Sequence, residues 1–354
     1  MARPAIIAGL SLVLMETISD FGTVEFLAVE TITLGIFNLW LGMNNFSAAS
    51  QLSILAFTFI VVLLGIELSA RKNQKFNDPR VSSFENKFDE INLKQNIILL
   101  SICLIPIIFG FIIPVLILIN LSLQSLNQDN FSTFLEISIN SISISFFGAF
   151  LIILFSFIIV VAVKYHGGKK FAFLSTLAGS GYAFPGVILA LGTTFFLSLV
   201  QDNINTFFMS FNVNWNLTII GTFTALLYTY ICRFNAIGIG YINSGIQRIS
   251  PNLLEAGRLQ GVSFEKSLFK IIFPLIRPSI LTGFLIIFVD IIKELPVTLL
   301  LRPFNFETLA TYVYQYAKEE MLEQCAVAAL LIIIIGIVPV IVLNRTINLS
   351  YKKQ

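Results

Sequence analysis

The feature that most constrains this chain is the recurrence of apolar runs long enough to cross a bilayer. About 30 Å of hydrocarbon needs around 20 residues of helix. Runs of that length stand near residues 4–27, 48–69, 97–120, 138–163, 176–200, 216–234, 279–301 and 325–343. A segment immersed in lipid has no water to bond its backbone, so each run must satisfy its own N–H and C=O groups as a helix. The expected fold is therefore all-α, a polytopic transmembrane helix bundle of about eight spans. The charged fraction agrees: 12% of the residues are charged, against about 25% in soluble domains.

Several function classes are excluded by what the chain lacks. It carries one histidine, His166, and three cysteines, Cys103, Cys232 and Cys325, far apart in apolar runs. The cysteines read as small buried hydrophobes, and no metal site is expected. No GxxxxGK[ST] motif occurs, so nucleotide hydrolysis would have to reside in another subunit. No catalytic residue is assigned, and no nucleic-acid partner is expected; the chain's non-protein surroundings are membrane lipid. The first apolar run is too long for a cleavable signal and has no small-residue cleavage site.

Lys and Arg placement orients the spans. The 70–96 loop holds Arg71, Lys72, Lys75, Arg80, Lys87 and Lys94, and the next basic loop holds Lys164, Lys169 and Lys170. The 235–278 region holds Arg248, Arg258, Lys266, Lys270 and Arg277, and the tail holds Arg345, Lys352 and Lys353. The alternate loops 28–47, 121–137 and 201–215 contain neither Lys nor Arg, and in 302–324 four glutamates outnumber Arg302 and Lys318. Both termini and the 235–278 loop are thus expected in the cytoplasm. The polar 70–96 stretch, with Pro79 and charges of both signs, reads as a linker.

The chain also repeats itself. ARPAIIAGLSLVLMETISDF aligns without gaps on IRPSILTGFLIIFVDIIKEL, pairing Arg3-Pro4 with Arg277-Pro278, Glu16 with Asp290 and Asp20 with Glu294. A looser echo pairs Thr33-Leu34 with Thr308-Leu309. Ionisable residues inside apolar spans are costly and usually face a bundle interior or a water path. Glu16 and Asp20, with Asp290, Lys293 and Glu294, form such a set, each acid pair at i, i+4 on one helix face. Asp290 lies roughly 18 Å beyond Pro278 along a helix. Pro296 then breaks the helix, with Gly22 at the matching site of the first copy. These residues, Pro296 included, are candidates for a translocation pathway or its gate; the competing reading has Lys293 pair with Asp290 or Glu294 merely to hold helices together. The glycine-rich GSGYAFPGVILALG, 179–192, reads as close helix packing.

One polar island remains, Glu255–Pro274, EAGRLQGVSFEKSLFKIIFP. Ser250-Pro251 starts a helix, Ser263 caps a second, and Pro274 is expected to close the unit. Glu255, Ala256, Gly261, Ile271 and Pro274 fall at the spacings of the cytoplasmic loop in membrane permease subunits of bacterial ABC importers, which this segment resembles. Gly257 stands where that family usually has a second Ala, and Phe273 where it usually has Leu. The resemblance implies a type I ABC importer permease fold, with coupling helices in this loop seated in a groove of an ATPase subunit.

Three further segments, ETISDFG, GYAFPGVILALG and KELPVTLLLRPFNFETLA, are similar to the ferric-iron importer permeases, a fused two-half subgroup. That likeness implies a periplasmic substrate-binding protein as donor and two cytoplasmic ATPase subunits as motors. No cofactor is then expected in this chain, ATP-Mg residing on the ATPase. The protein would sit in the bacterial inner membrane and work by alternating access. Permeases for thiamine, phosphonate or polyamine remain alternatives, as does an ion-coupled secondary transporter, which would not need the loop spacing. On this reading residues 1–69 are the last two spans of a first half, 70–96 a linker, and 97–354 a complete six-span second half whose coupling loop covers about 235–278. An upstream in-frame stretch with four more spans and a second such loop is expected.

Overall fold

The computed structural model describes residues 10, 13–14, 16–72, 93–125, 131–211, 216–250, 253, 259 and 262–351, and among them there is no strand. The helices are α1 (Gly22–Phe26), α2 (Ile32–Phe37), α3 (Phe46–Lys72), α4 (Leu93–Ile107), α5 (Ile113–Ser125), α6 (Phe131–His166) and α7 (Lys169–Ala178). They continue with α8 (Gly186–Ser210), α9 (Phe223–Gln247), α10 (Phe264–Ser267), α11 (Phe273–Ile292), α12 (Pro296–Leu301), α13 (Leu309–Lys318) and α14 (Leu322–Tyr351).

Among the described residues six helices are long and apolar enough to cross a membrane, fewer than the about eight apolar runs. The run expected at 216–234 is α9, shifted toward Gln247; Thr229, Arg233 and Asn235 on its buried face make it more polar. The beginning of the 4–27 run lies outside the described residues.

The loop expected over about 235–278 is much shorter. Helix α9 runs through Gln247, and Phe264–Ile292 forms one continuous helical rod, leaving 248–263 between them. Packing explains the extension. Ser156 of α6 bonds Asn235 at 2.5 Å, Gly238 lies against that serine, and Ile242 and Ile246 are buried. Nor does Pro274 close a helix. Proline lacks an N–H, and a π-turn over Leu268–Ile272, with the Phe273 N–H bonded to the Leu268 carbonyl, shifts the ladder so that α11 continues through it. The same device precedes Pro114, after the π-turn Ile108–Ile112.

The largest core joins α6, α9 and α11 around Ile152, Tyr230, Ile242, Ile276, Ile287 and Ile291. A second core packs Phe21, Ile36, Phe37, Ala49 and Ile60 of the N-terminal segment against Ala183, Val187 and Leu191. The N-terminal segment is therefore an integral wall of the bundle, held mainly by α8 and the turn before it.

The repeat is visible in the backbone and corrects the looser echo. Helix breaks at Asp20-Phe21 and Lys293–Leu295 are each followed by a short helix, α1 or α12. Ala28 (φ 55°) matches Asn305 (φ 58°), and Asn44 (φ 50°) matches Glu320 (φ 60°); these four are the non-glycine residues with left-handed φ among those described. Thr31, not Thr33, matches Thr308: each is an N-cap whose hydroxyl accepts an N–H three residues on. The connection after the break is longer in the second copy, because α12 and the 302–307 turn add residues that α1 lacks.

Candidate functional site

The pathway candidates converge. Glu16, Asp20, Asp290, Lys293, Glu294 and Pro296 all line one cavity of about 460 Å³. It lies where the two helix breaks meet, the N-terminal copy forming one wall and the 290–296 break the other. Helix α11 ends at Ile292, so the i, i+4 acids of the second copy are not on one helix; Asp290 is in its last turn and Glu294 lies in the turn beyond.

The two repeat-matched acids do the same local work. Asp20 Oδ1 accepts the Thr23 N–H at 3.3 Å, and Glu294 Oε1 accepts the Val297 N–H at 3.2 Å. Each satisfies an otherwise free donor in the first turn of the short helix after its break. This is why an acid stands three residues ahead in both copies.

Their remaining environments differ. Glu294 is 6% exposed and pairs with Arg233 of α9 at 3.4 Å, while Lys293 pairs with Asp290 at 3.0 Å. Lys293 thus holds one acid and not the other. Arg233, 8% exposed, donates from Nη2 to Ser19 of the first copy at 3.1 Å, and its Nε and Nη1 have no hydrogen-bond acceptor among the described atoms. Tyr182 donates to Glu16 Oε2 at 3.3 Å. Glu16 and Asp20 have no cationic partner among the described ion pairs, so with two of the four acids neutralised the cavity carries a net negative charge.

Two glycines of the 179–192 segment make this geometry possible. A Cβ on Gly181 would overlap the Cys232 carbonyl oxygen, and one on Gly186 would overlap the Arg233 guanidinium and come within 2.8 Å of Pro296 and 2.9 Å of Glu294. Gly192, by contrast, has open space beside it. The packing reading thus holds for Gly181, whereas Gly186 leaves room for the ion pair itself.

Sequence reasoning did not single out Arg233, Tyr182 or Ser19. The available signal for Arg233 was a lone cation in the apolar stretch YTYICRFNAIGIG; ending the span at 234 hid it, since the cation then reads as a boundary residue. Of the loop candidates, Ile271 and Pro274 lie in the Phe264–Ile292 rod, whereas Glu255, Ala256, Gly257 and Gly261 are outside the described residues.

The family model described as the binding-protein-dependent transport system inner membrane component matches residues 130–353. The chain belongs to this family. It is a multi-pass inner-membrane transport permease, and residues 1–129, with the repeat's first copy, lie outside the matched region. The permease is 22% identical, over 97% of its length, to the Fe(3+)-transport system permease protein FbpB 2 of Haemophilus influenzae, and spans 66% of that relative. It is 25% identical over 46% of its length to the ferric transport system permease protein FbpB of Actinobacillus pleuropneumoniae, spanning 23% of that protein. The crystal structure of a bacterial alginate ABC transporter, in complex with an alginate pentasaccharide-bound periplasmic protein, contains a chain with the same fold. Its TM-score is 0.54 at 18% identity, covering 71% of the permease and 94% of that chain. An all-α bundle of the ABC importer permease type is thereby established.

Proposed function

We propose that this permease is the membrane-spanning subunit of an ATP-driven importer that receives ferric iron from a periplasmic binding protein. The observation that carries the proposal is the convergence of charged residues from both repeat copies on one cavity at paired helix breaks. Non-helical backbone at membrane depth is tolerated where it lines a cavity or is buried in protein. A net negative lining favours a cation, and the Arg233–Glu294 and Asp290–Lys293 pairs keep the surplus charge on the Glu16–Asp20 wall. The similarity to ferric permeases supports iron over thiamine, phosphonate or polyamine.

In this reading the 248–263 connection, with Glu255, Ala256, Gly257 and Gly261, docks one of the two cytoplasmic ATPase subunits that carry ATP-Mg. Closure of the ATPase pair pulls on the Phe264–Ile292 rod, which leads without interruption from that connection to Asp290 in the cavity. A rigid rod between motor and break is what alternating access requires. Both termini and the ATPase side face the cytoplasm, as the Lys and Arg asymmetry indicates, and the binding protein docks on the opposite loops, including 302–321.

Reconstitution of the permease with its ATPase and binding protein in vesicles tests this. Iron uptake should need both ATP and the binding protein; uptake driven by an ion gradient alone would replace the importer by a secondary carrier. Asp20→Asn retains an oxygen for the Thr23 N–H while removing the charge. Combined with Glu16→Gln, it should lower uptake about ten-fold, the effect of losing roughly 1.4 kcal/mol of attraction for a cation. Unchanged uptake with normal insertion would remove these acids from the pathway.

A further inference from the structure

The acid-lined cavity is not the only chamber along this wall. A second cavity, of about 860 Å³, lies between α1, α13 and α14. Gly22, Lys293 and Leu295 line both cavities and so form the partition between them. Gly22 comes from the break of the first copy and Leu295 from the break of the second. Their approach is close: a methyl group on Gly22 would stand 3.2 Å from Leu295 Cδ2. The acids Glu16, Asp20, Asp290 and Glu294 all belong to the smaller chamber.

A polar contact secures this partition from the side of the larger chamber. Glu25, three residues after Gly22 on α1, accepts the Tyr314 hydroxyl at 2.7 Å and the Lys318 ammonium at 3.0 Å, both from α13. Glu25 is largely buried, its side chain 17% exposed, and its Tyr314 bond is part-buried, whereas Lys318 is 57% exposed, so the charge-assisted Tyr314 bond is the better protected of the two. Other bonds tie the same N-terminal segment to the far wall of the smaller chamber, Ser19 to Arg233 and Glu16 to Tyr182. Moving the segment away from Leu295 therefore requires breaking the Glu25 contacts, and with α1 displaced the two chambers join.

We infer that the Gly22–Leu295 contact is the closed barrier between an outer vestibule and the acid-lined chamber, and that Glu25, bound to Tyr314 and Lys318, latches it shut. The inference rests on the pathway reading of the acid-lined cavity. It places the barrier beside the acids: all four lie behind the apolar Gly22–Leu295 contact, which a hydrated ion does not cross because a narrow apolar constriction sheds water. Lys293, at the edge of the same partition, is paired with Asp290. The atom nearest Gly22 is the tip of the Leu295 side chain, 3.2 Å from where a methyl at position 22 would stand; such a tip can turn aside, so a larger residue at position 22 fills the constriction further.

Thiol accessibility in the resting, full-length permease tests this without ATP, iron or partners, so its outcome is separate from that of the uptake experiment. Cys103, Cys232 and Cys325 are replaced by serine and Thr17→Cys is introduced; Thr17 lines the smaller chamber, and among the described residues its hydroxyl bonds the Val13 carbonyl one turn earlier. A charged, membrane-impermeant methanethiosulfonate added outside right-side-out vesicles should modify the introduced thiol slowly. Leu295→Ala and Glu25→Ala should each raise the rate about ten-fold, equivalent to ~1.4 kcal/mol on the opening equilibrium, and Gly22→Leu should lower it. Opposite signs from opposite volume changes would not arise from misfolding. Equal rates in all four proteins, or acceleration by Gly22→Leu, would overturn the barrier; acceleration by Leu295→Ala but not by Glu25→Ala would keep the plug and overturn the latch.

Discussion

Replacing Glu294 by alanine should abolish uptake and destabilise the bundle by about 3 kcal/mol, because it strands a buried cation. Arg233 is 8% exposed and has no carboxylate neighbour other than Glu294 among the described ion pairs. The same change frees the Val297 N–H at the start of α12. Thermal unfolding of the purified permease in detergent reads the stability. Two further variants separate the contributions. Glu294→Gln keeps an acceptor for Val297 and should lose only the charge-dependent part. Glu294→Ala with Arg233→Met should recover most of the stability, since replacing a buried pair by apolar groups is often neutral, yet should not recover transport. A stable Glu294→Ala single variant would show that the pair is not the anchor between α9 and the break.

Gly181→Ala should be comparably severe, at about 3 kcal/mol, the upper end for forcing extra volume into a packed core. The added methyl overlaps a backbone carbonyl, that of Cys232, and a backbone atom in the middle of α9 cannot swing aside as a side-chain tip can. Relief requires lifting the 181–183 turn off α9, and with it Tyr182, which bonds Glu16. Gly192→Ala is the internal control: it lies on α8, is exposed and has nothing within 4 Å of the new methyl. It should be neutral or stabilising by up to ~1 kcal/mol through helix propensity. Monodispersity and unfolding temperature of the two alanine variants, measured side by side, decide the matter. Equal behaviour would mean that the turn does not sit tightly on α9.

The acids at 16, 20, 290 and 294 were legible as a group because an intramembrane carboxylate is expensive wherever it points, and because the same spacing occurs twice. What each acid touches was not legible. Lys293 is adjacent to Glu294 and three residues from Asp290, and spacing alone left both pairings open; the backbone turn after Ile292 gives it to Asp290. Arg233 lies 61 positions from Glu294 in a different helix, and no local pattern links two residues at that separation. The position of Pro274 shows the limit of a local rule. Proline ends a regular helix, but a π-turn ahead of it lets the rod continue, and whether a chain makes that turn depends on what the helix packs against.

By itself, then, the chain determined that it is a helical membrane protein, that its basic and non-basic loops alternate, that it contains two copies of a broken-helix segment, and which acids stand at those two breaks. These follow from properties local in sequence: length of apolar run, Lys and Arg placement, and repetition at a fixed offset. Only the tertiary structure decided that the two breaks face each other, that Arg233 and Ser19 join the copies, and that Gly22 meets Leu295 between two chambers. Those are long-range contacts, set by how whole helices cross, and side-chain volume at a crossing has no signature along the chain until the partner helix is known.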